Sequence, residues 1–165
     1  MQLAAYLQTM HDVPWREDDA KADEIFYLFG EHGAELEPLL QQYQLPRYAS
    51  TLFSVEPDGS MGPAQPALSF GVAADGSGVP FHFHNDGFSE VMHGAKRWLL
   101  YPSAPPQFDP DQTSVRWLRD VYPRLSEREA PMECVIEPGD LLYFPKDWYH
   151  AIVNLGTTVF MSTFL

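Results

Sequence analysis

The spacing of apolar and polar positions changes character near residue 48. Before it, Gln2 to Met10 predicts a short amphipathic helix, and Arg16 to Asp23 is a charged, solvated stretch. Ile25 to Gly30 (IFYLFG) is aromatic and β-branched, ends at a glycine and predicts a strand. Ala34 to Tyr43 sets Leu36, Leu39, Leu40 and Tyr43 at helical spacing, with Pro38 tolerated near the first turn and Pro46 closing the segment.

From Tyr48 onward the pattern is one of short strands cut by Gly and Pro. The predicted strands are Ala49 to Val55, Ala67 to Ala73, Val79 to His84, Lys96 to Tyr101, Met132 to Glu137, Asp140 to Phe144, Tyr149 to Asn154 and Thr157 to Phe164. Turns are expected at Pro57-Asp-Gly, Asp75-Gly-Ser-Gly, Pro138-Gly and Leu155-Gly. One helix, about Ser114 to Tyr122, interrupts the series and gathers Trp117, Leu118 and Tyr122 on one face. Many short strands with regular turns imply an all-β fold with small helical additions, an antiparallel sandwich or barrel. Nothing marks a linker, so residues 1–165 read as one domain, with 1–48 as N-terminal helix and strand additions and about 49–165 as the barrel core.

Composition narrows the function. The chain carries 10 Lys and Arg against 23 Asp and Glu, a net charge of −13, which repels phosphates and excludes a nucleic-acid partner. A basic polypeptide or a metal ion remains compatible with that charge. No apolar run reaches the 18 or so residues of a membrane span. A basic start followed by an apolar run is missing, so no signal peptide is read, which points to the cytoplasm. Cys134 has no second cysteine, which excludes an intrachain disulfide and Cys-rich zinc sites.

Three segments carry candidate chemistry. In Val79-Pro-Phe-His-Phe-His-Asn-Asp-Gly, strand alternation projects His82 and His84 to one side, with Asp86 following at the strand end. Two imidazoles so spaced are either surface residues or two ligands of one metal awaiting a third. In Pro138-Gly-Asp-Leu-Leu-Tyr-Phe-Pro-Lys-Asp-Trp-Tyr-His, a turn launches an apolar strand that leads to His150; alone this is a hairpin corner with an exposed His. Together the two match the way cupin-type barrels assemble a metal site from a His-x-His and a distant His. In Gly94-Ala-Lys-Arg-Trp-Leu-Leu-Tyr, Lys96 either points to solvent or enters the barrel, where it needs an anionic partner such as a small carboxylate.

These segments, PFHFH, GAKRWLLYP and MECVIEPGDLLYFPKDWYHAIVNL in that order, resemble the Jumonji-C (JmjC) family of iron- and 2-oxoglutarate-dependent oxygenases. The resemblance runs over about residues 25–165, and YLFG, SFGVAADGSGVPFHFH, GFSEVMHGAKRWLLYP, WLRDVYPRL and VFMSTFL resemble one subgroup of it. It implies a double-stranded β-helix of the cupin or jelly-roll type. It also implies Fe(II) on a His-x-Asp/Glu pair plus a distal His, and 2-oxoglutarate held by the metal and a basic residue. By that resemblance His82 is the first ligand, His150 the distal ligand and Lys96 the partner of the co-substrate's far carboxylate. The family's carboxylate position is His84, so the implied metal set is His82, His84 and His150. A shifted set of His84, Asp86 and His150 would restore a carboxylate, but His84 lies 12 positions before Lys96 and His82 lies 14, nearer the family spacing.

The position three before the first His often supplies a hydroxyl to 2-oxoglutarate, and Val79 cannot. Ser89, Tyr101 and Thr163 are the candidate replacements. Asn154 either supports the ligands by a hydrogen bond or caps its own turn, Trp148 and Tyr149 are expected in the pocket wall or core, and Glu90 and His93 at the mouth or in solvent. The implied function is a protein hydroxylase dependent on Fe(II) and 2-oxoglutarate. The departures at His84 and Val79 imply instead an inactive pseudo-oxygenase serving as a protein-binding regulatory module. A third reading is a three-His metal enzyme acting without 2-oxoglutarate. Either of the first two predicts a protein substrate or protein partner. Animal members of the subgroup are associated with the lumen of the endoplasmic reticulum, the compartment the resemblance implies.

Overall fold

The computed structural model describes residues 3–10, 27–30, 36–44 and 67–165. In chain order these form α1 (Leu3–Thr9), β1 (Tyr27–Gly30), α2 (Glu37–Leu40), β2 (Ala67–Ala73), β3 (Gly78–His82), β4 (Gly87–Tyr101), α3 (Ser114–Asp120), a 3₁₀ turn (Tyr122–Arg124), β5 (Met132–Ile136), β6 (Leu141–Phe144) and β7 (Tyr149–Phe164). The expected strand Ala49 to Val55, the charged stretch Arg16 to Asp23 and the turn Pro57-Asp-Gly lie outside the described residues.

The fold is organised by its two longest strands. β4 and β7 pair antiparallel from Gly87↔Phe164 to Tyr101↔Tyr149. Each changes neighbours halfway. The first half of β7 pairs with β3 and its second half with β2, while the first half of β4 pairs with β6 and its second half with β5. The register slips between Val91 and Ala95, and left-handed glycines stand on both strands there, Gly94 at φ 77° and Gly156 at φ 70°. Bulges and such glycines bend a strand without ending it. The ribbon therefore folds over at these points, and the two half-sheets face each other around one interior, as a double-stranded β-helix does.

Two expectations are corrected here. Tyr149 to Asn154 and Thr157 to Phe164 are one strand, because Leu155-Gly156 is a bend that keeps its ladder rather than a turn between strands. The strand expected from Lys96 begins nine residues earlier, at Gly87. Its first half mixes polar and apolar residues because both faces are occupied: Phe88 is buried on one and Ser89 and Val91 on the other.

Helical segments cover part of the outer surface on two sides. α3 is capped by the Thr113 hydroxyl, which accepts from the Arg116 N–H at 3.2 Å. The helix sets Trp117 edge-on to Phe81 at 4.8 Å and against Tyr101, and Ser114 donates to the Val79 carbonyl. This anchors β3 with Phe81 turned outward under the helix. Pro80, which lacks an N–H, sits where β3 slips register against β7, between Val79 and His82. The slip leaves both Val79 and His82 facing inward, although they stand three positions apart, an odd spacing. On the opposite side, Tyr6 and Met10 of the α1 region pack with Phe70, Val72 and Met161.

Candidate metal centre and its pocket

His82, the last residue of β3, pairs across the ladder with His150 of β7, and His84 follows two positions on. Phe83 between them is half exposed on the opposite side. The three imidazoles converge, each offering a ring nitrogen, with these atoms all within 4.8 Å of one another. Ring centroids are 4.3 Å apart for His82 and His150, 4.7 Å for His84 and His150 and 5.3 Å for His82 and His84.

The backbone sets the tautomers. Nδ1 of His82 donates to the Pro80 carbonyl at 2.8 Å, Nδ1 of His84 to the Asn85 carbonyl at 2.6 Å and Nδ1 of His150 to the Trp148 carbonyl at 2.9 Å. A carbonyl only accepts, so each Nδ1 carries the proton and each Nε2 presents a lone pair. Burial holds His150 down to about 3, with His82 adding to the effect, and burial lowers His82 as well. Both rings are neutral at pH 7, the ligating form. Aromatic walls fix their orientation: Phe144 stacks on His150 at 5.1 Å, and Phe144 and Phe164 meet His84 edge-on at 5.2 and 4.9 Å.

Behind the histidines lies a pocket of about 420 Å³, mouth included, lined from both halves of β7 by His150, Asn154, Phe160 and Ser162 and from β4 by Lys96 and Trp98. Lys96 is 2% exposed. Its Nζ lies 3.3 Å from the centre of the Phe160 ring, and among the described residues no carboxylate reaches it. Burial pulls its pKa well below the ordinary lysine value. Asn154 pairs with Lys96 across the ladder; its Nδ2 donates to the Ser77 carbonyl at 2.8 Å, and its Oδ1 is buried with no partner among the described residues. Such an arrangement of a buried cation, a bare amide oxygen and converging imidazoles is suited to an anionic ligand beside a metal ion.

The structure separates the other candidates. Ser89 faces inward but stands behind the wall, receiving a hydrogen bond from Ser162 Oγ at 3.1 Å. Thr163 is fully buried on the opposite face of β7, beside Met161's side of the sheet, so Ser162 and not Thr163 offers a hydroxyl to the pocket. Tyr101 also points outward, donating to the Glu129 carbonyl at 2.6 Å under α3, and does not line the pocket. Asp86 lies outside the histidine cluster and accepts from the Tyr143 hydroxyl at 3.2 Å, so the shifted triad does not assemble. Glu90 is engaged by Tyr43, and His93 is exposed at the bend. Trp148 packs against the inner core, whereas Tyr149 joins Phe83 and Phe108 on the outside, at 4.8 and 5.2 Å. Trp98 and Ser162 lie beyond the sequence-predicted set: alternation from Lys96 along β4 puts Trp98 on its face, and alternation along β7, taken as one strand, puts Ser162 on the face of His150.

The chain is similar in sequence to known proteins. Residues 62–165 match the model of the JmjC domain. JmjC domain-containing protein 8 of Homo sapiens is 47% identical over 145 residues, covering 87% of this chain and 51% of that protein, so the chain spans about half the length of that relative. The 2-oxoglutarate and iron-dependent oxygenase JMJD4 of Gallus gallus is 36% identical over 98 residues, 51% of this chain and 23% of that one. Among solved structures, the Escherichia coli ribosomal oxygenase YcfD in complex with cobalt and 2-oxoglutarate is 26% identical, with 60% of this chain and 23% of that chain covered at a TM-score of 0.43. With the domain match spanning most of the chain and a histidine cluster at the mouth of a double-stranded β-helix, this protein belongs to the JmjC domain family.

Proposed function

We propose that the chain is a 2-oxoglutarate-dependent oxygenase of the JmjC type, holding Fe(II) on His82, His84 and His150 and hydroxylating a protein side chain. The observation that carries this reading is the convergence of three imidazoles, two of which stand at the spacing that one ion sets. Two imidazole nitrogens bound side by side on one metal, each about 2.1 Å from it, lie about 3 Å apart. The Nε2 atoms of His84 and His150 are 3.1 Å apart, both as acceptors. The relative named a 2-oxoglutarate and iron-dependent oxygenase supports the choice of metal and co-substrate.

When bound, the iron supplies activation of O₂, so that 2-oxoglutarate, O₂ and a C–H group become succinate, CO₂ and an alcohol. The chain's own residues do the rest. The three histidines, from the end of β3, the residues just after it and β7, would hold the ion in the pocket lining. Lys96 provides the positive charge for the distal carboxylate, and the Ser162 hydroxyl, turned from Ser89 toward the pocket, would supply what Val79 lacks. Phe144, Phe160 and Phe164 keep water from the interior. With three neutral ligands in place of two and a carboxylate, the centre carries one more positive charge, which favours anionic co-substrate binding. Exposed Phe83 and Phe108, with half-buried Tyr149 between them, offer an apolar ledge for a polypeptide.

The test is a thermal-shift titration without oxygen, using Mn(II) or Fe(II) with and without 2-oxoglutarate. A ligand at 100 times its Kd adds about 2.7 kcal/mol, a shift of several degrees. The reading predicts a metal shift that grows with 2-oxoglutarate and vanishes in His150→Ala. Indifference of the wild type to both ligands would instead leave the fold as a protein-binding module, the reading that the absent carboxylate at His84 favours.

A further inference from the structure

The pocket holds a donor that the proposed chemistry has not used. Trp98 is 1% exposed and lines the pocket, two positions along β4 from Lys96 and on the same face. Its indole Nε1–H has no hydrogen-bond partner among the described residues. An indole N–H can only donate, and a buried donor left unpaired costs about 1–3 kcal/mol. The neighbours explain why none is met: Phe144 stacks on the ring at 5.6 Å, His150 lies at 5.7 Å, and Ile152 is its partner across the ladder. None of these faces offers a free oxygen. The Lys96 Nζ lies over the same ring, 5.3 Å from its centre, so one ligand in the pocket can meet both side chains.

The polar inventory also defines the ligand. Lys96 and Trp98 are donors only, and Asn154 Oδ1, a bare acceptor among the described residues, belongs to the residue facing Lys96 across the ladder. A ligand made only of acceptors satisfies this set if Lys96 shares its three protons between Asn154 and the ligand while Trp98 serves the ligand's second oxygen. A carboxylate is such a group.

We propose that Trp98 is a binding residue for the distal carboxylate of the dicarboxylate co-substrate, its indole N–H acting with the Lys96 ammonium as the second prong of a clamp. The assignment rests on the functional reading above and adds specificity to it: the clamp recognises 2-oxo acids by a second carboxylate, independently of the end that faces the metal.

The experiment compares 2-oxoglutarate with 2-oxopentanoate, which lacks the distal carboxylate, on the Zn(II)-loaded full chain. Calorimetry is run on the wild type, on Trp98→Phe and on a chain carrying β-(3-benzothienyl)alanine at position 98, which keeps the ring size and replaces N–H by sulfur. Zn(II) affinity and apo Tm establish that each variant is folded with its metal site intact. Both variants are expected to bind 2-oxoglutarate about ten- to a hundredfold more weakly and 2-oxopentanoate unchanged. In wild-type NMR spectra, the Trp98 indole N–H signal, one of four and identified by its loss in Trp98→Phe, is expected to move downfield with 2-oxoglutarate and to stay in place with 2-oxopentanoate. Equal 2-oxoglutarate affinity in wild type and variants, with that signal unmoved, would overturn the Trp98 assignment and leave the functional reading standing. Failure of the metal-loaded wild type to bind 2-oxoglutarate would overturn both.

Discussion

The Nε2 atoms of His84 and His150 face each other at 3.1 Å while the Nδ1 atom of each ring is committed to a backbone carbonyl. Two lone pairs at that distance repel unless a cation or a proton lies between them. Burial opposes protonation of His150, which favours a metal ion. Removing either ring should therefore release the metal and relieve the crowding together. His84→Gln and His150→Ala are expected to weaken Mn(II) binding by about a hundredfold or more. Calorimetry under argon measures this directly; wild-type affinity in both variants would remove the cluster from the model.

Lys96 sets function against stability. Its ammonium is buried against the Phe160 ring with no carboxylate partner among the described residues. Replacing a poorly compensated buried charge by a hydrophobic residue of similar volume commonly stabilises a protein by about 1–3 kcal/mol. Lys96→Met is expected to raise the apo Tm by several degrees while lowering 2-oxoglutarate affinity by at least about thirtyfold and sparing the metal. A variant that melts lower than the wild type, with co-substrate affinity intact, would contradict both halves of this.

Strand alternation made part of the site legible in the sequence. His82 and His84 share a side because they are two apart, and Lys96 and Trp98 do so for the same reason. The same rule, carried from His150 through Gly156, selects Ser162 over Thr163. It was lost only because a glycine within an otherwise continuous strand reads as a turn. Tyr101, five positions from Lys96, fails the alternation outright. Ser89 is different: the register slips twice between Val91 and Ala95, so odd positions before the bend and even positions after it both face inward. No local pattern reveals that. The bare Trp98 N–H and Asn154 Oδ1 are likewise products of tertiary packing, visible only once the half-sheets close on each other.

Acidification should destabilise the metal-free protein. His150 stays neutral in the fold down to about pH 3, whereas an unfolded histidine titrates near 6.5. Below about pH 6.5 the unfolded chain takes up a proton that the folded chain refuses, so stability is present above that value and is lost as pH falls. Between pH 7.5 and 5 one such residue costs about 2 kcal/mol, and His82, lowered in the same direction, adds to it. Urea denaturation at several pH values should show a loss that is smaller by about 2 kcal/mol in His150→Leu. Parallel curves for variant and wild type would show that His150 is not held neutral.

The bend that closes the pocket can be tested at two glycines with nearly the same backbone angle. Gly94 and Gly156 both lie in the left-handed region, where a side chain costs about 1–2 kcal/mol. A Cβ at Gly156 would meet nothing within 4 Å, but one at Gly94 would lie 2.2 Å from the Thr157 carbonyl oxygen. That oxygen belongs to the backbone of β7 at the fold-over and cannot move alone. Gly156→Ala should therefore lose only about 1–2 kcal/mol. Gly94→Ala should lose several more and weaken metal and co-substrate binding together, because the pairing that runs on from the bend aligns Lys96 with Asn154 and Leu100 with His150. Urea melts of the two variants decide the matter: equal losses would mean that the backbone angle, and not the close approach of β4 to β7, sets the cost of the bend.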